Sequence, residues 1–233
     1  MNYLELFIFG IYPYICLTIF FLGSLIRFDR DQYTWKSDSS QLLRKKQLRL
    51  GSMLFHIGVL FLFFGHFFGM LTPHFFYESF IAAGEKQLVA MITGGIAGIF
   101  GLVGLSILLH RRLMDDRIRL TSKPSDILLL FILWIQLVLG LATIPLSAAH
   151  LDGSMMLKLA GWAQHIMTFQ GGAVELLSGV NWVFRLHMFL GMTLFLIFPF
   201  TRLVHIWSGF ASITYLFRPY QIVRSRRLGI GRK

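Results

Sequence analysis

Cysteine occurs once in this chain, at Cys16, and that scarcity removes several kinds of chemistry at the outset. A single thiol forms no intrachain disulfide, no thiolate metal cluster and no covalent CxxCH haem attachment. Charge is scarce too: 14% of the 233 residues are charged, where a soluble domain carries about 25%. Acidic residues are rarer still, 11 against 22 basic, which leaves a formal charge of +11. With 55% hydrophobic residues and a mean hydropathy of +0.65, the composition is that of a membrane protein. Phenylalanine, by contrast, is abundant at 24 residues, which suits a lipid-facing surface and equally a pocket for a flat aromatic ligand.

A membrane helix needs about 20 apolar residues. Five stretches qualify, roughly 4–26, 50–71, 88–109, 127–146 and 183–207. The expected fold is an all-α integral membrane protein, a five-transmembrane-helix bundle forming one domain over 1–233, with a basic cytoplasmic tail over 208–233. The first stretch is not expected to be a signal peptide, since no basic residue precedes it and no small-residue cleavage site follows.

The basic residues set the expected orientation. Seven lie in the first loop (Arg27, Arg30, Lys36, Arg44, Lys45, Lys46, Arg49), five in the third (Arg111, Arg112, Arg117, Arg119, Lys123) and seven from Arg202 onward. These nineteen fall on one side of five alternating spans, leaving Lys86, Lys158 and Arg185 on the other. The positive-inside rule then puts the N-terminus outside and the C-terminus in the cytoplasm. The net charge is thereby a topology signal, and nucleic acid is not an expected partner. Within the second outer segment, MMLKLAGWAQHIMTF is too short to span and reads as a helix in the membrane interface. Gly94, Gly98, Gly101 and Gly104 recur at helical intervals, which fits close helix packing or, alternatively, room for a cofactor.

Eight histidines occur. His74, His110, His150 and His165 fall in outer segments or at a membrane edge, where ordinary interfacial residues account for them. His56 and His66 share the second span, and His187 and His205 the fifth. Ionisable groups inside spans usually serve a function or bridge to another helix, so two interhelical hydrogen bonds are the plain alternative. The two spans run in opposite directions, which brings His56 to the depth of His205 and His66 to that of His187. Opposed neutral imidazoles from facing helices can hold haem iron in a bundle core, and Gly58, Gly65 and Gly191 adjoin these positions. Two b-type haems are therefore expected, each with its iron on one histidine pair. A mismatch accompanies this pairing: the rise is ~15 Å between His56 and His66 but ~27 Å between His187 and His205. Unequal tilt, tilted haem planes and a kink at Pro199 must absorb it.

The segments FHIGVLFLFFGHFFGMLTPH, RLHMFLGMTLFLIFPFTRLVHIW, GIYPYI and YTWKSDSSQ resemble the membrane cytochrome b (gamma) subunit of respiratory nitrate reductase, over nearly the whole chain. The resemblance implies a dihaem anchor in the cell inner membrane that oxidises quinol near the outer face. Electrons would pass to an iron–sulfur subunit and a molybdenum-containing catalytic subunit on the cytoplasmic side. It also implies that His56, His66, His187 and His205 ligate the two haems, and that Lys86, with Gly65 beside His66, belongs to the quinol site. On sequence alone, Lys86 fits a snorkelling interfacial lysine as well as a donor to a quinone oxygen. Glu78 and Glu85 are candidate proton relays or solvated acids, and Arg111, Arg112, Arg185 and Arg202 are candidates for haem propionates or for helix-end anchoring. Alternatives are a dihaem anchor of a related sulfite-reduction or heterodisulfide-reductase complex, and a membrane anchor without redox function.

Overall fold

The computed structural model describes residues 2–31, 35, 43 and 45–208. The expected basic tail, from residue 209, lies outside the described residues, as do Lys36 and Arg44 of the first loop. Eight helices are described: α1 (Tyr3–Asp31), α2 (Lys45–Leu71), α3 (His74–Tyr77), α4 (Ala83–Met114), α5 (Asp116–Thr121), α6 (Pro124–Ala148), α7 (Ser154–Met167) and α8 (Trp182–Ile197). Helices α1, α2, α4, α6 and α8, the last with its following turn to Phe200, are long and apolar enough to cross a membrane. No strand occurs among the described residues. The protein is thus an all-α, five-span bundle.

The spans pack in the order α2, α4, α6, α8, α1, each closely against the next. Glycine sets the tightest of these contacts, between α2 and α4. A methyl group at Gly58 would overlap the backbone of Ala97 and Gly101, and one at Gly104 would overlap Phe55 and Gly51. Backbone-to-backbone approach of this kind maximises dispersion where lipid offers no hydrophobic drive. Gly98 receives Leu141 of α6, with 2.7 Å between its would-be Cβ and a leucine methyl. Among Gly94, Gly98, Gly101 and Gly104, Gly94 alone has open space before it. The glycine run is mainly a packing surface, and Gly58 belongs to that surface and gives no clearance beside His56.

Two prolines shape the histidine scaffold. In α1, Pro13 has no N–H to donate to the carbonyl of Phe9, and the turn before it widens to a π-helical one over Phe7–Ile11. Trp162 Nε1 of α7 takes up that buried carbonyl at 3.0 Å. In the last span, regular helix stops at Ile197, before Pro199, and continues as two 3₁₀ turns, Phe198–Phe200 and Arg202–Val204, on either side of an extended Thr201. Arg27 of α1 braces this break, its Nη1 donating to Pro199 O (2.7 Å) and Thr201 O (3.0 Å). The span expected over 183–207, with a kink at Pro199, is therefore interrupted between Ile197 and His205. His205 nevertheless stands opposite His56, and its face is set beyond the break instead of by the periodicity of α8.

Helix α7 has 14 residues, ~21 Å, too short to span. It closes one end of the bundle. Its buried Met155, Trp162 and Ile166 join Phe9, Ala173, Val174, Leu177, Val180 and Phe184 in one apolar cluster. Gly153 starts the helix at φ 84°, in the left-handed region glycine favours, with its would-be Cβ 2.6 Å from the Ala83 carbonyl carbon. At the opposite end lie Arg111, Arg112 and Arg202. The bundle thus has a cap end and an arginine end.

Candidate functional site

His56 and His66 both tie Nδ1 to their own helix, donating to Ser52 O and Leu62 O, each at 2.7 Å. His205 does the same one residue shorter, to Arg202 O at 2.6 Å. A carbonyl only accepts, so in these three rings Nδ1 carries the proton and Nε2 keeps its lone pair. That is the tautomer a metal-binding imidazole needs. Nδ1 of His187 is buried without a full hydrogen bond among the described residues, and the polar group its ring meets is the backbone of Gln136 on α6.

The structure brings the four rings together in two pairs. His56 faces His205 with ring centroids 6.2 Å apart, and His66 faces His187 at the same 6.2 Å. No hydrogen bond joins the rings of either pair among the described residues, and α2 and α8 are not closely packed against each other. Two metal–imidazole bonds of ~2 Å, with half a ring at each side, span about 6 Å. No group of three or more histidine, cysteine or acidic side chains is placed to hold a metal among the described residues. A donor set of two imidazoles fits an iron whose other ligands come from a porphyrin, and it does not fit a structural zinc ion, which needs four. Gly65 and Gly69 on α2 and Gly94 on α4 each face open space, which suits a large flat group.

Lys86 stands at the cap end. The contact of Gly58 with Ala97 and Gly101 puts His66 level with about residue 91 of α4, so Lys86 lies ~7 Å further along the axis. Its Nζ is buried, lacks a hydrogen-bond acceptor among the described residues and sits 3.5 Å from the centroid of the Tyr77 ring. A snorkelling lysine extends its head into water; this ammonium is instead held by a cation–π contact. Burial, reinforced by Glu78, raises the Tyr77 hydroxyl above its ordinary pKa and keeps that ring neutral.

The other candidates are otherwise engaged. Arg185 donates to Val180 O (3.1 Å) and Leu177 O (2.9 Å) and pairs with Glu5, which makes it a brace of the cap. Glu85 accepts from Ala82 N at the start of α4 (3.2 Å), and Glu78 pairs with His74 at 2.8 Å. His165 contacts Gly171 O at 2.9 Å, while His110 and His150 are exposed. At the arginine end, Asp126 lies between Arg112 (3.7 Å) and Arg202 (3.5 Å), Arg112 donates to Ser122 Oγ (3.0 Å), and Arg111 donates to Leu43 O (2.6 Å).

Several contributing residues are amides that the sequence reading passed over. Gln87 donates to Ser147 O and His150 O and accepts from Met156 N, tying α4 to the cap. Gln164 donates to Met70 O and Thr72 O on either side of the end of α2. Gln136 donates to the backbone carbonyl of His187 at 3.1 Å. A lone glutamine in an apolar span was the available signal.

Comparison with known proteins agrees with this architecture. The family model for the nitrate reductase gamma subunit matches residues 5–226. The chain is 58% identical over 227 residues to the respiratory nitrate reductase 2 gamma chain of Escherichia coli K12, covering 97% of this chain and 100% of that one. It is 54% identical over 226 residues to the respiratory nitrate reductase 1 gamma chain of the same organism, with the same coverage. The nitrate reductase gamma chain of Bacillus subtilis 168 is 40% identical over 218 residues, 93% of this chain and 96% of that one. Five apolar spans and full-length matches to gamma chains make this a multi-pass membrane protein of an oxidoreductase complex, and the chain belongs to the nitrate reductase gamma subunit family.

Proposed function

We propose that the chain is the membrane cytochrome b subunit of a respiratory nitrate reductase, oxidising quinol at the cap end and delivering the electrons at the arginine end. The observation that carries this reading is the pair of 6.2 Å histidine gaps, stacked along the bundle. His66 and His187 hold the haem nearer the cap, and His56 and His205 the one nearer the arginines. Haem iron, when bound, supplies a reversible one-electron carrier. The chain supplies the ligands, their tautomers and the spacing between the two sites.

Lys86 is the quinol-binding residue in this reading. Its ammonium has N–H donors and no competing acceptor among the described residues, and the cation–π hold on Tyr77 fixes its position without using them. A donor held so is suited to a quinone oxygen. Gly65 keeps the surface beside His66 free of a side chain. Quinol oxidation releases two protons and two electrons, the protons to the cap side and the electrons toward the arginine end.

Orientation follows from charge. Among the described residues Arg27, Arg30, Lys45, Lys46, Arg49, Arg111, Arg112, Arg117, Arg119, Lys123 and Arg202 lie toward the arginine end, against Lys86, Lys158 and Arg185 toward the cap. That asymmetry supports a cytoplasmic arginine end in the inner membrane and an outward cap. Electron movement inward with proton release outward makes the step electrogenic. The partners at the arginine end are an iron–sulfur subunit and a molybdenum-containing catalytic subunit, in keeping with a gamma chain.

Quinol-driven reduction of single-histidine variants, followed optically in membranes, tests the proposal. Wild type should show two b-type haems per chain. Loss of His66 or His187 should block electron entry from quinol. Loss of His56 or His205 should leave a haem that quinol reduces but that does not pass electrons on. Full occupancy of both haems in all four variants, or rapid quinol reduction of the remaining haem in a His66 variant, would overturn it.

A further inference from the structure

A hydroxyl inside a helix usually bonds to the carbonyl one turn back. Thr93 in α4 and Thr193 in α8 do so, donating to Val89 O and Phe189 O, each at 2.8 Å. Ser52 in α2 is turned the other way. Its Oγ lies 3.2 Å from Nδ1 of His56, one turn ahead, and no earlier carbonyl takes it up among the described residues. The same ring nitrogen meets Ser52 O at 2.7 Å. Because a carbonyl only accepts, Nδ1 carries the proton, and the hydroxyl oxygen can meet that N–H only as a second acceptor. Both oxygens of one serine thus share one donor, in a three-centre bond. The other span histidines have no such hydroxyl. His66 Nδ1 meets Leu62 O alone, His205 Nδ1 meets Arg202 O alone, and the His187 ring meets the backbone of Gln136.

We infer that Ser52 is a positioning residue for His56, its hydroxyl adding a second acceptor to the Nδ1–H that its own carbonyl already holds. The inference rests on the proposal that His56 is a haem ligand, and adds what sets the orientation and donor strength of that ligand. Two acceptors fix the rotation of the ring more tightly than one, and so aim Nε2 into the 6.2 Å gap toward His205. Each acceptor on Nδ1–H also makes the imidazole a stronger electron donor to its metal, which favours the oxidised iron. The two haem sites therefore differ by one oxygen atom, present beside His56 and matched at neither His66 nor His187. Ser52→Ala deletes that oxygen and leaves the Ser52 carbonyl, and alanine is the residue a helix tolerates best.

The test is an optical redox titration of membranes, with low-spin haem resonances recorded by electron paramagnetic resonance, for wild type, Ser52→Ala and Ser52→Thr. Haem content of the wild type is measured first: absence of haem there defeats the ligand assignment, separately from the present inference. With haem present, Ser52→Ala should shift the oxidised-to-reduced ratio of one haem about threefold toward the reduced form at fixed potential, about 28 mV where tenfold is about 59 mV for one electron. The resonance of that haem should move and the other should not. In a His66→Leu background, which keeps only the haem on His56 and His205, the shift should persist; in a His56→Leu background it should vanish. Ser52→Thr keeps the hydroxyl and should hold the ratio at the wild-type value. A shift at both haems, at neither, or only at the haem on His66 and His187 would overturn the inference, as would a threonine variant that behaves like alanine. Should Ser52→Ala fail to retain the haem, the threonine variant decides alone: wild-type haem content and ratio support the inference, and any other result overturns it.

Discussion

At the cap end, the pair His66–His187 lies beneath a lid built from apolar side chains and neutral amides; at the other end, His56–His205 lies beside guanidinium groups. The cap uses Gln87, Gln164 and Trp162 to satisfy loop and helix-end carbonyls. The arginine end does the equivalent work with Arg27 on Pro199 O and Thr201 O, and with Arg111 on Leu43 O. Both schemes meet the same requirement, that irregular backbone beside a membrane bundle must find internal partners. They differ in what they leave behind. Amides, with an Arg185 whose charge Glu5 offsets, close the cap without adding net charge beside the pair, so Lys86 stands out there as the cation held by an aromatic ring. Guanidinium groups leave buried positive charge, and with exposed neighbours such as Lys45 and Lys46 it suits an anionic partner or lipid headgroups as well as orientation.

The comparison is broken most completely by removing a ligand. Each iron in the proposed arrangement has two protein bonds, so His66→Leu should abolish one haem and His205→Leu the other, with the five spans still inserted. Haem per chain and the membrane-extracted yield measure both. A smaller effect is expected from Asp126→Ala. Its carboxylate lies between Arg112 and Arg202 with 14% of its side chain exposed, and removing one partner from a buried ion cluster costs about 3 kcal/mol. Thermal unfolding in detergent should shift accordingly, and the His56–His205 haem should be lost before the other, because Arg202 also carries the carbonyl that orients His205. Trp162→Phe is the counterpart at the cap. It strands the Phe9 carbonyl that Pro13 leaves without its helical donor, at a cost of about 2 kcal/mol. It should loosen the cap, read as faster amide exchange in 154–184, while the arginine end stays protected.

Much of this arrangement was legible in the sequence. Five apolar runs gave five spans, and antiparallel order gave the pairing of His56 with His205 and His66 with His187, because depth along a straight bundle follows residue number. What the sequence did not show is that His205 starts a new helical turn after the break, off the regular helix that ends at Ile197. Pro199 signalled a kink, but whether a proline bends a helix or ends it depends on what braces the freed groups. Here that brace is Arg27, some 172 residues away in sequence. The glycines were ambiguous for a related reason: their spacing is the same whether a neighbouring helix or a ligand approaches. Only the positions of α2 and α6 separate Gly58, Gly98 and Gly104 from Gly65 and Gly94. Arg185 illustrates the same limit, since its partner Glu5 lies 180 residues away.

Lys86 sharpens the comparison most finely, because its expected effect is the smallest and its alternatives differ in kind. If its role is only to hold Tyr77, Lys86→Ala should loosen α3 against α4 and leave quinol kinetics alone. If its donors serve a quinone oxygen, the variant should bind quinol or a quinol-site inhibitor about tenfold more weakly, about 1.4 kcal/mol, with both haems retained. Tyr77→Leu separates the two. It removes the ring beneath the ammonium but not the donors, so it should raise the apparent quinol KM less than Lys86→Ala does, by letting Nζ wander. Equal effects of the two variants on stability, with no change in quinol KM or inhibitor affinity for either, would reduce Lys86 to a cap contact. The contrast between ends predicts one further asymmetry: substituting Arg111, a cation of the opposite end, should leave quinol affinity unchanged while slowing electron delivery to the partner.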